Sequence, residues 1–195
     1  MPDAPSAGLA GLVAPSASFE VPLEMLSACH GRVQAQCDTL RRLLPHLAAN
    51  GADRAAQEAA TAVMRYFDTA AVHHHADEET DLFPALLEAM AGSDAVCLRE
   101  MTQALASEHR ELERRWRLVR QGLQDVLAGN AAALAAATVQ DFIGLYASHI
   151  EREEKELLPM AQRLLSDAEL ERIGLAMRTR RGLAAPAAAP PSPSA

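Results

Sequence analysis

Apolar side chains recur every three or four residues along most of this chain, the spacing that gathers them on one face of an α-helix. This periodicity predicts four long helices and a shorter fifth one, over about residues 21–49, 53–81, 94–127, 131–157 and 167–181. The connections between the long segments are short, so neighbouring helices are expected to run antiparallel. The pattern therefore predicts an all-α protein, an antiparallel up-down-up-down four-helix bundle with a short C-terminal fifth helix.

Glycine and proline mark several of the expected helix ends. Asn50-Gly51 is typical of a helix C-terminus. Pro45 is expected to kink or end the first helix early, because a proline inside a helix removes a backbone hydrogen bond. Pro84 and Pro159 are expected to break the second and fourth helices for the same reason, with a short helical turn following Pro84.

The composition favours one helical domain with loose ends. Aromatic residues make up 4% of the 195 residues, and alanine and leucine dominate, which favours helices over sheets. We expect a flexible N-terminal segment at 1–18, the bundle at 19–181 and a disordered tail rich in proline, alanine and serine at 182–195.

A motif, His-x-x-x-Glu-Glu-x-x-Leu-x-Pro, occurs at the end of both the second and the fourth predicted helix. It begins at His74 and again at His149, 75 residues later. The apolar faces of the first and third helices also coincide when one is shifted by 79 residues, which places His30 on His109. The chain is therefore interpreted as a duplicated helical hairpin.

Six side chains of this duplication are candidate metal ligands. In each motif the histidine and the first glutamate lie one turn apart on one helix face. His30 and His109 stand on apolar faces where leucine would be expected, and helix lengths place all four histidines at about one depth. Burying four imidazoles and two carboxylates together would be costly without a cation. The predicted ligands are His30, His74, Glu78, His109, His149 and Glu153.

Other polar residues near this set have open interpretations. The duplication selects His74 from the run His73-His74-His75, since the other two point about 100° away around the helix. His75 is either a flanking or solvated residue or a hydrogen-bond partner within the site. Tyr146 either faces the site or packs in the bundle, and Glu113 is either a further ligand or solvated.

Charge and cysteine content restrict the partners. A formal net charge of −8 argues against nucleic acid, which needs a basic face. No apolar run approaches the roughly 20 residues that span a bilayer. The N-terminus lacks a basic residue before its apolar stretch, so it does not resemble a secretory signal. Three cysteines without a ligand spacing suit a reducing compartment. We therefore expect a cytoplasmic monomer or homodimer without nucleic-acid or membrane partners.

The donor set favours a pair of iron ions over a single zinc ion. Tetrahedral zinc uses four ligands, and structural zinc favours cysteine. Ferritin-like di-iron bundles use Glu-x-x-His, with the glutamate first, whereas here the histidine comes first.

The order of the donors resembles the hemerythrin-like family, also called HHE cation-binding domains: His30, His74-x-x-x-Glu78, His109 and His149-x-x-x-Glu153. The resemblance covers about residues 20–180. It implies a cofactor of two iron ions, bridged by the two glutamates and by an oxo or hydroxo group, with the histidines as terminal ligands. It leaves open how the histidines divide between the irons. Members of this family bind dioxygen at an open iron position.

The chain departs from the oxygen-carrying members of that family at one position. Those proteins have two histidines four residues apart on the third helix, whereas here Leu105 precedes His109 by four residues and Glu113 follows it by four. Water or hydroxide would then fill the open position. This departure weakens the case for reversible oxygen carriage and favours sensing or oxidative chemistry.

Three classes of function follow from these observations. The favoured one is a non-enzymatic di-iron protein that binds dioxygen or a related small ligand, to store or sense it, and no residue is predicted to be catalytic. The alternative is a di-iron enzyme that acts on peroxide or nitric oxide, or in iron oxidation or iron supply. The third is a helical partner-binding module whose metal is structural.

Overall fold

Four long helices form the bundle that the apolar periodicity predicts. The computed structural model describes residues 18–90 and 95–184, and these ranges are helical and contain no strand. The long helices are α1 (Pro22–Asn50), α2 (Arg54–Asp77), α4 (Ala95–Leu127) and α5 (Ala136–Arg152). The shorter ones are α3 (Phe83–Ala89), α6 (Leu158–Leu164) and the C-terminal α7 (Asp167–Arg180). Both α2 and α5 pack against α1 and against α4, which confirms the all-α bundle.

The expected loose ends fall mostly outside the described residues. Residues 1–17 of the predicted flexible segment and residues 185–195 of the predicted tail lie beyond the described ranges. None of the helices in the described ranges combines the length and the apolar character of a membrane span.

Local capping explains where α2 and α7 begin. The Asp53 side chain accepts a hydrogen bond from the Ala56 backbone N–H at 2.9 Å, which satisfies one free donor of the first turn of α2. Ser166 and Glu169 form a capping box at the start of α7, with the Ser166 backbone N–H donating to Glu169 Oε2 at 2.7 Å. The first helix ends at Asn50 and is capped by Gly51, whose φ of 72° favours glycine.

One predicted helix start is wrong, and one of the two outcomes expected for Pro45 is excluded. Pro45 lies inside α1 without ending it, and the helix continues to Asn50, close to the predicted end at residue 49. The fourth long helix begins at Ala136 rather than near residue 131. The preceding connection packs Leu134 against Gly122 so closely that a Cβ atom on the glycine would lie 3.0 Å from Leu134 Cδ1. This tertiary contact outweighs the helix propensity of the alanine run.

Two π-helical segments, Glu78–Leu82 and Glu153–Leu157, carry the chain to the prolines without a break. In each segment a hydrogen bond spans five residues, from the backbone N–H of Phe83 to the Glu78 carbonyl and from that of Leu158 to the Glu153 carbonyl. Each proline then lies near the start of the next helix, where its missing N–H costs little. The expectation that Pro84 and Pro159 break the helices is therefore wrong.

The buried apolar side chains form two clusters with the polar candidate residues between them. Along α1, Cys29 belongs to one cluster and Val33 to the other. Along α4, Leu105 and Leu112 are divided in the same way, on either side of His109. The candidate ligands therefore occupy a polar layer across the middle of the bundle.

The C-terminal helix α7 packs on α1 and α2 and is anchored through arginines. Asp77, which is fully buried, accepts hydrogen bonds from both Arg180 and Arg181, including one of 2.6 Å from Arg181 Nη2 to Asp77 Oδ2. Arg180 also donates to Asp81 Oδ2 at 2.7 Å. These bonds tie α7 to the first π-helical segment.

Candidate metal centre

The six predicted ligands converge in the polar layer. All six side chains are at most 2% exposed: His30, His74, Glu78, His109, His149 and Glu153. Four different long helices supply the histidines, and the first residue of each π-helical segment supplies a glutamate. π-Helical turns are frequent at functional sites, where the extra residue re-aims a side chain. The bundle thus gathers the donors that the duplication predicts.

One set of four donors lies between the first and second helices. The Nε2 atom of His74 lies 3.3 Å from Glu78 Oε1, and the Nε2 atom of His30 lies 4.0 Å from the same oxygen. His30 Nε2 also lies 3.1 Å from Glu153 Oε2. The two imidazole rings stand almost perpendicular, at 89°, with centroids 4.8 Å apart. Four ligand atoms of this set lie within 4.8 Å of one another.

A second set of four donors lies between the third and fourth long helices. His149 Nε2 lies 3.0 Å from Glu153 Oε1, and His109 Nε2 lies 3.8 Å from that oxygen and 3.4 Å from Glu78 Oε2. The rings cross at 71° with centroids 4.7 Å apart, close to the arrangement of the first pair. The duplication therefore produces two similar donor sets.

Both glutamates belong to both donor sets, with one oxygen turned toward each. Within the described residues, none of the four oxygens of Glu78 and Glu153 has a hydrogen-bond partner, and the same holds for His30 Nε2. Donor atoms about 3 Å apart are what neighbouring ligands show on an ion with bonds of about 2.1 Å. The residues therefore fit two cations bridged by two carboxylates, with His30 and His74 on one and His109 and His149 on the other.

The carboxylates and imidazoles shift one another's pKa values. Burial alone would lower the pKa values of His30 and His109, but the Glu153 and Glu78 carboxylates outweigh burial and raise them to about 9 and about 10. Burial and the Glu153 charge raise the pKa of Glu78 to about 7. Burial and the neighbouring imidazoles lower the pKa of His74 to about 3. Without a metal, protons on the His30 and His109 imidazoles thus offset the negative charge of the buried carboxylates, as bound cations would.

Three carboxylates that the sequence interpretation missed orient the histidines from outside. Each accepts a hydrogen bond from the Nδ1 edge of an imidazole whose Nε2 faces the centre. Glu154 holds His30 at 2.6 Å, and Glu79 holds His109 at 2.8 Å. The sequence contained a sign of this role, because both motifs carry a second glutamate directly after the candidate ligand. This second glutamate contacts the histidine of the other hairpin, which sequence spacing alone does not show.

The third carboxylate breaks the symmetry of the duplication. Glu108 Oε2 lies 2.8 Å from Nδ1 of His149. The equivalent position in the first hairpin is Cys29, and there the corresponding histidine, His74, has an Nδ1 atom without a partner in the described residues. Among the residues that the structure describes, His74 is therefore the one candidate histidine ligand without an orienting carboxylate.

The structure gives the positions of Glu113, Tyr146 and His75, whose roles the sequence left open. Glu113 is exposed and stands outside the donor sets, as the solvated interpretation has it. Tyr146 is buried in the apolar cluster beside the centre. His75 contributes a ring nitrogen within 4.8 Å of those of His109 and His149, and its ring stacks on that of His109 with centroids 4.0 Å apart. His75 is therefore a neighbour of the second donor set rather than a solvated residue.

The part of the chain that holds all six donors matches a known protein family. Residues 21–161 match the family model described as the hemerythrin HHE cation binding domain. An uncharacterized protein of Haemophilus influenzae is 31% identical to this chain over 165 residues, which is 85% of this chain and 92% of that protein. All six converging donors lie inside the range that the family model matches.

Proposed function

Since the chain belongs to the hemerythrin HHE cation-binding family, we propose that it is a non-haem di-iron protein that binds dioxygen or a related small ligand, to store or sense it. Family membership indicates a cation-binding helical protein. The proposal of two irons is carried by one observation: both glutamates are shared by two donor sets that each contain two histidines.

The chemistry of the donors supports iron. Imidazole and carboxylate together suit iron, and a set without cysteine is unlike structural zinc. Bound there, the iron pair would supply a change of oxidation state and a position for an exogenous ligand. The chain supplies the rest: Glu78 and Glu153 would bridge, the four histidines would be terminal ligands, and the apolar clusters above and below would exclude water.

Each ion would keep free coordination positions. Its donor set has two histidines and two carboxylate oxygens, fewer than the six ligands of an octahedral site. One turn before His30 and His109 the chain carries Leu26 and Leu105, which are fully buried and cannot bind metal. Small ligands can therefore add to the centre, as the proposed function requires.

Metal content tests the proposal. We expect the aerobically purified protein to contain about two irons per chain and to show a broad absorption band that changes when azide is added. Replacing His74 with alanine should lower both iron content and melting temperature, because metal binding contributes folding free energy. His73→Ala is the matched control, since His73 adjoins His74 in the same helix and stands outside the donor sets. Equal iron content in the two variants would contradict the ligand assignment.

The incomplete donor sets also favour a second candidate function, a di-iron enzyme that acts on peroxide or nitric oxide, or in iron oxidation or supply. Positions open to small ligands allow turnover as well as binding. Catalytic consumption of peroxide or nitric oxide by the iron-loaded protein, lost in Glu153→Ala, would favour the enzyme. Stoichiometric ligand binding without consumption would favour storage or sensing.

The location and partners are proposed on the grounds of the sequence. Cys29, Cys37 and Cys97 are free thiols, which suits the reducing cytoplasm. We propose a monomer or homodimer there, with a small ligand such as dioxygen as its partner and with neither nucleic acid nor membrane bound. Sedimentation of the purified protein tests the oligomeric state.

A further inference from the structure

The duplication gives the bundle two equivalent surface grooves, one beside each donor set. The α2/α4 groove has a volume of about 280 Å³ and is lined by residues that include Val72, His75, Glu79, Glu113 and Trp116. The α1/α5 groove has the same volume and is lined by the residues at the equivalent positions, Ala147, Ile150, Glu154, Gln34 and Cys37. Glu79 orients His109, and Glu154 orients His30, so each groove leads toward one donor set.

The two grooves differ in the residue nearest the centre. The α2/α4 groove presents His75, and the α1/α5 groove presents Ile150, which is 4% exposed and purely apolar. His75 Nε2 is sealed from solvent and has no hydrogen-bond partner among the described residues. A buried polar nitrogen without a partner is costly, so its retention beside an open coordination position requires a reason.

Stacking excludes the simplest reason, that His75 is a fifth histidine ligand. The rings of His75 and His109 are nearly parallel, at 11°, with centroids 4.0 Å apart. An imidazole lone pair lies in the plane of its ring, so two parallel stacked rings cannot both point at one ion. An ion in the plane of the His109 ring would lie outside the plane of the His75 ring, displaced by about the separation of the two stacked rings. His75 thus stands over the ion position rather than in its ligand set.

A small residue, Ala71, leaves space on one side of the α2/α4 groove. Tyr146 fills the position three residues before His149, whereas the equivalent residue before His74 is Ala71, which lines the α2/α4 groove. Tyr146 lines the same groove from across the bundle, with its ring centroid 6.1 Å from that of His75. A ligand of two or three heavy atoms beside His75 would therefore meet one polar nitrogen in otherwise largely apolar surroundings.

We propose that exogenous ligands bind at the ion held by His109 and His149, enter through the α2/α4 groove, and accept a hydrogen bond from His75 Nε2. The ligand class is a small molecule or anion with a hydrogen-bond-accepting end, for which azide is the probe. The inference rests on the proposed di-iron centre and adds which ion is the binding ion. At the position equivalent to His75 the α1/α5 groove presents Ile150, whose side chain has no hydrogen-bond donor.

Two matched tryptophan variants test the entry route in the iron-loaded ferric protein. Val72 is 56% exposed, and its equivalent in the other groove, Ala147, is exposed too, so a tryptophan at either position can cover a groove without entering the core. We expect Val72→Trp to slow azide association, followed by stopped-flow absorbance, by about fivefold or more, and Ala147→Trp to leave the rate unchanged. Slowing by Ala147→Trp alone, or equal rates in both variants, would overturn the proposal.

The hydrogen bond is tested by giving one groove the residue of the other. His75→Ile should weaken azide binding about fivefold to tenfold, the effect of one lost hydrogen bond. His75→Gln, which returns an N–H at a similar distance, should recover most of the affinity and the position of the absorption band. Ile150→Val in the other groove is the control. Unchanged affinity in His75→Ile at full iron content would overturn the proposal.

Iron analysis of every variant separates the two hypotheses. If the wild-type protein binds no iron, the proposed function and this inference both fail. If the wild-type protein holds two irons and takes up azide, but neither Val72→Trp nor His75→Ile changes that uptake, only the inference fails. If the tryptophan pair differs as expected, the entry route stands even where a His75 variant loses iron.

Discussion

At the scale of single residues, a carboxylate contacts the outer nitrogen of three of the four candidate histidine ligands and restrains each of these rings. Glu79 and Glu154 each hold the outer nitrogen of a histidine that faces the centre. Such a contact fixes the tautomer and the ring orientation and makes the inner nitrogen a better donor. Arg110 in turn binds Glu79, with one contact of 3.0 Å, so the orienting carboxylate is itself held in place.

We predict that Glu79→Gln and Glu154→Gln each weaken metal binding. A loss of about tenfold to 100-fold in affinity is expected, because these carboxylates orient ligands without binding the ion. Glu156→Gln, in the exposed part of the second π-helical segment, serves as the control and should leave affinity unchanged. Competition with a chelator for ferrous iron under anaerobic conditions measures the effect. Wild-type affinity in both variants would show that the outer carboxylates are dispensable.

A second residue-scale prediction concerns pH. The pKa values of His30 and His109, about 9 and about 10, lie above the ordinary value of about 6.5, so both imidazoles are protonated at neutral pH without metal. Binding must release these protons, so metal affinity should rise about tenfold or more per pH unit between pH 6.5 and 8.5. Ferrous-iron affinity at these two pH values, with proton release by calorimetry, measures this dependence.

The same two imidazoles predict the stability of the metal-free protein. A raised histidine pKa stabilises the fold fully below pH 6.5, and the contribution disappears as the pH rises through 9 to 10. The melting temperature of the metal-free protein should therefore fall over that range, while that of the loaded protein should fall less. A metal-free protein that becomes more stable between pH 7 and 9 would contradict the charge balance described here.

At the scale of elements, the C-terminal helix restrains the segment that carries Glu78. Asp77 directly precedes this glutamate. At the end of α7, Arg180 and Arg181 together bind both oxygens of the Asp77 carboxylate. Any loosening of this contact would free the first turn of the π-helical segment. The helix α7 is thus part of the support for the centre, although it contributes no donor.

We predict that Asp77→Ala destabilises the protein by about 3 kcal/mol, because it leaves two arginines without their buried partner. Asp81→Ala should cost less, since Asp81 binds Arg180 alone and leaves the Asp77 contacts intact. Urea unfolding of the metal-free proteins gives the two free energies. A larger loss in Asp81→Ala would show that the anchor lies elsewhere.

At the scale of the whole molecule, the end of the chain gives a sharp test of this support. Arg178 donates two hydrogen bonds to the Ala184 carbonyl, so a chain that ends at Ala184 retains every contact of α7 described here. We predict that this truncation leaves iron content and melting temperature unchanged. A chain that ends at Thr179, without Arg180 and Arg181, should lose stability and bind iron more weakly. Metal analysis and thermal unfolding of both truncations provide the comparison.

The fold and the donor set followed from the sequence because helical periodicity and the repeat act along one helix at a time. The apolar faces predicted the bundle, and the alignment of the two motifs distinguished His74 from its neighbours. The orienting role of Glu79 could not be predicted, because it depends on how far one helix is rotated against another. The start of α5 depends in the same way on the packing of Leu134 against Gly122. The stacking of His75 is a third contact of this kind.

The sharing of both glutamates has a consequence for how the two hairpins move. Neither hairpin holds the complete environment of either ion, so each ion would be a crosslink between the halves of the molecule. The units that open together in amide hydrogen exchange should therefore change when iron binds. Without iron, the half up to residue 90 and the half from residue 95 should open as separate units, and with iron they should be protected and open together.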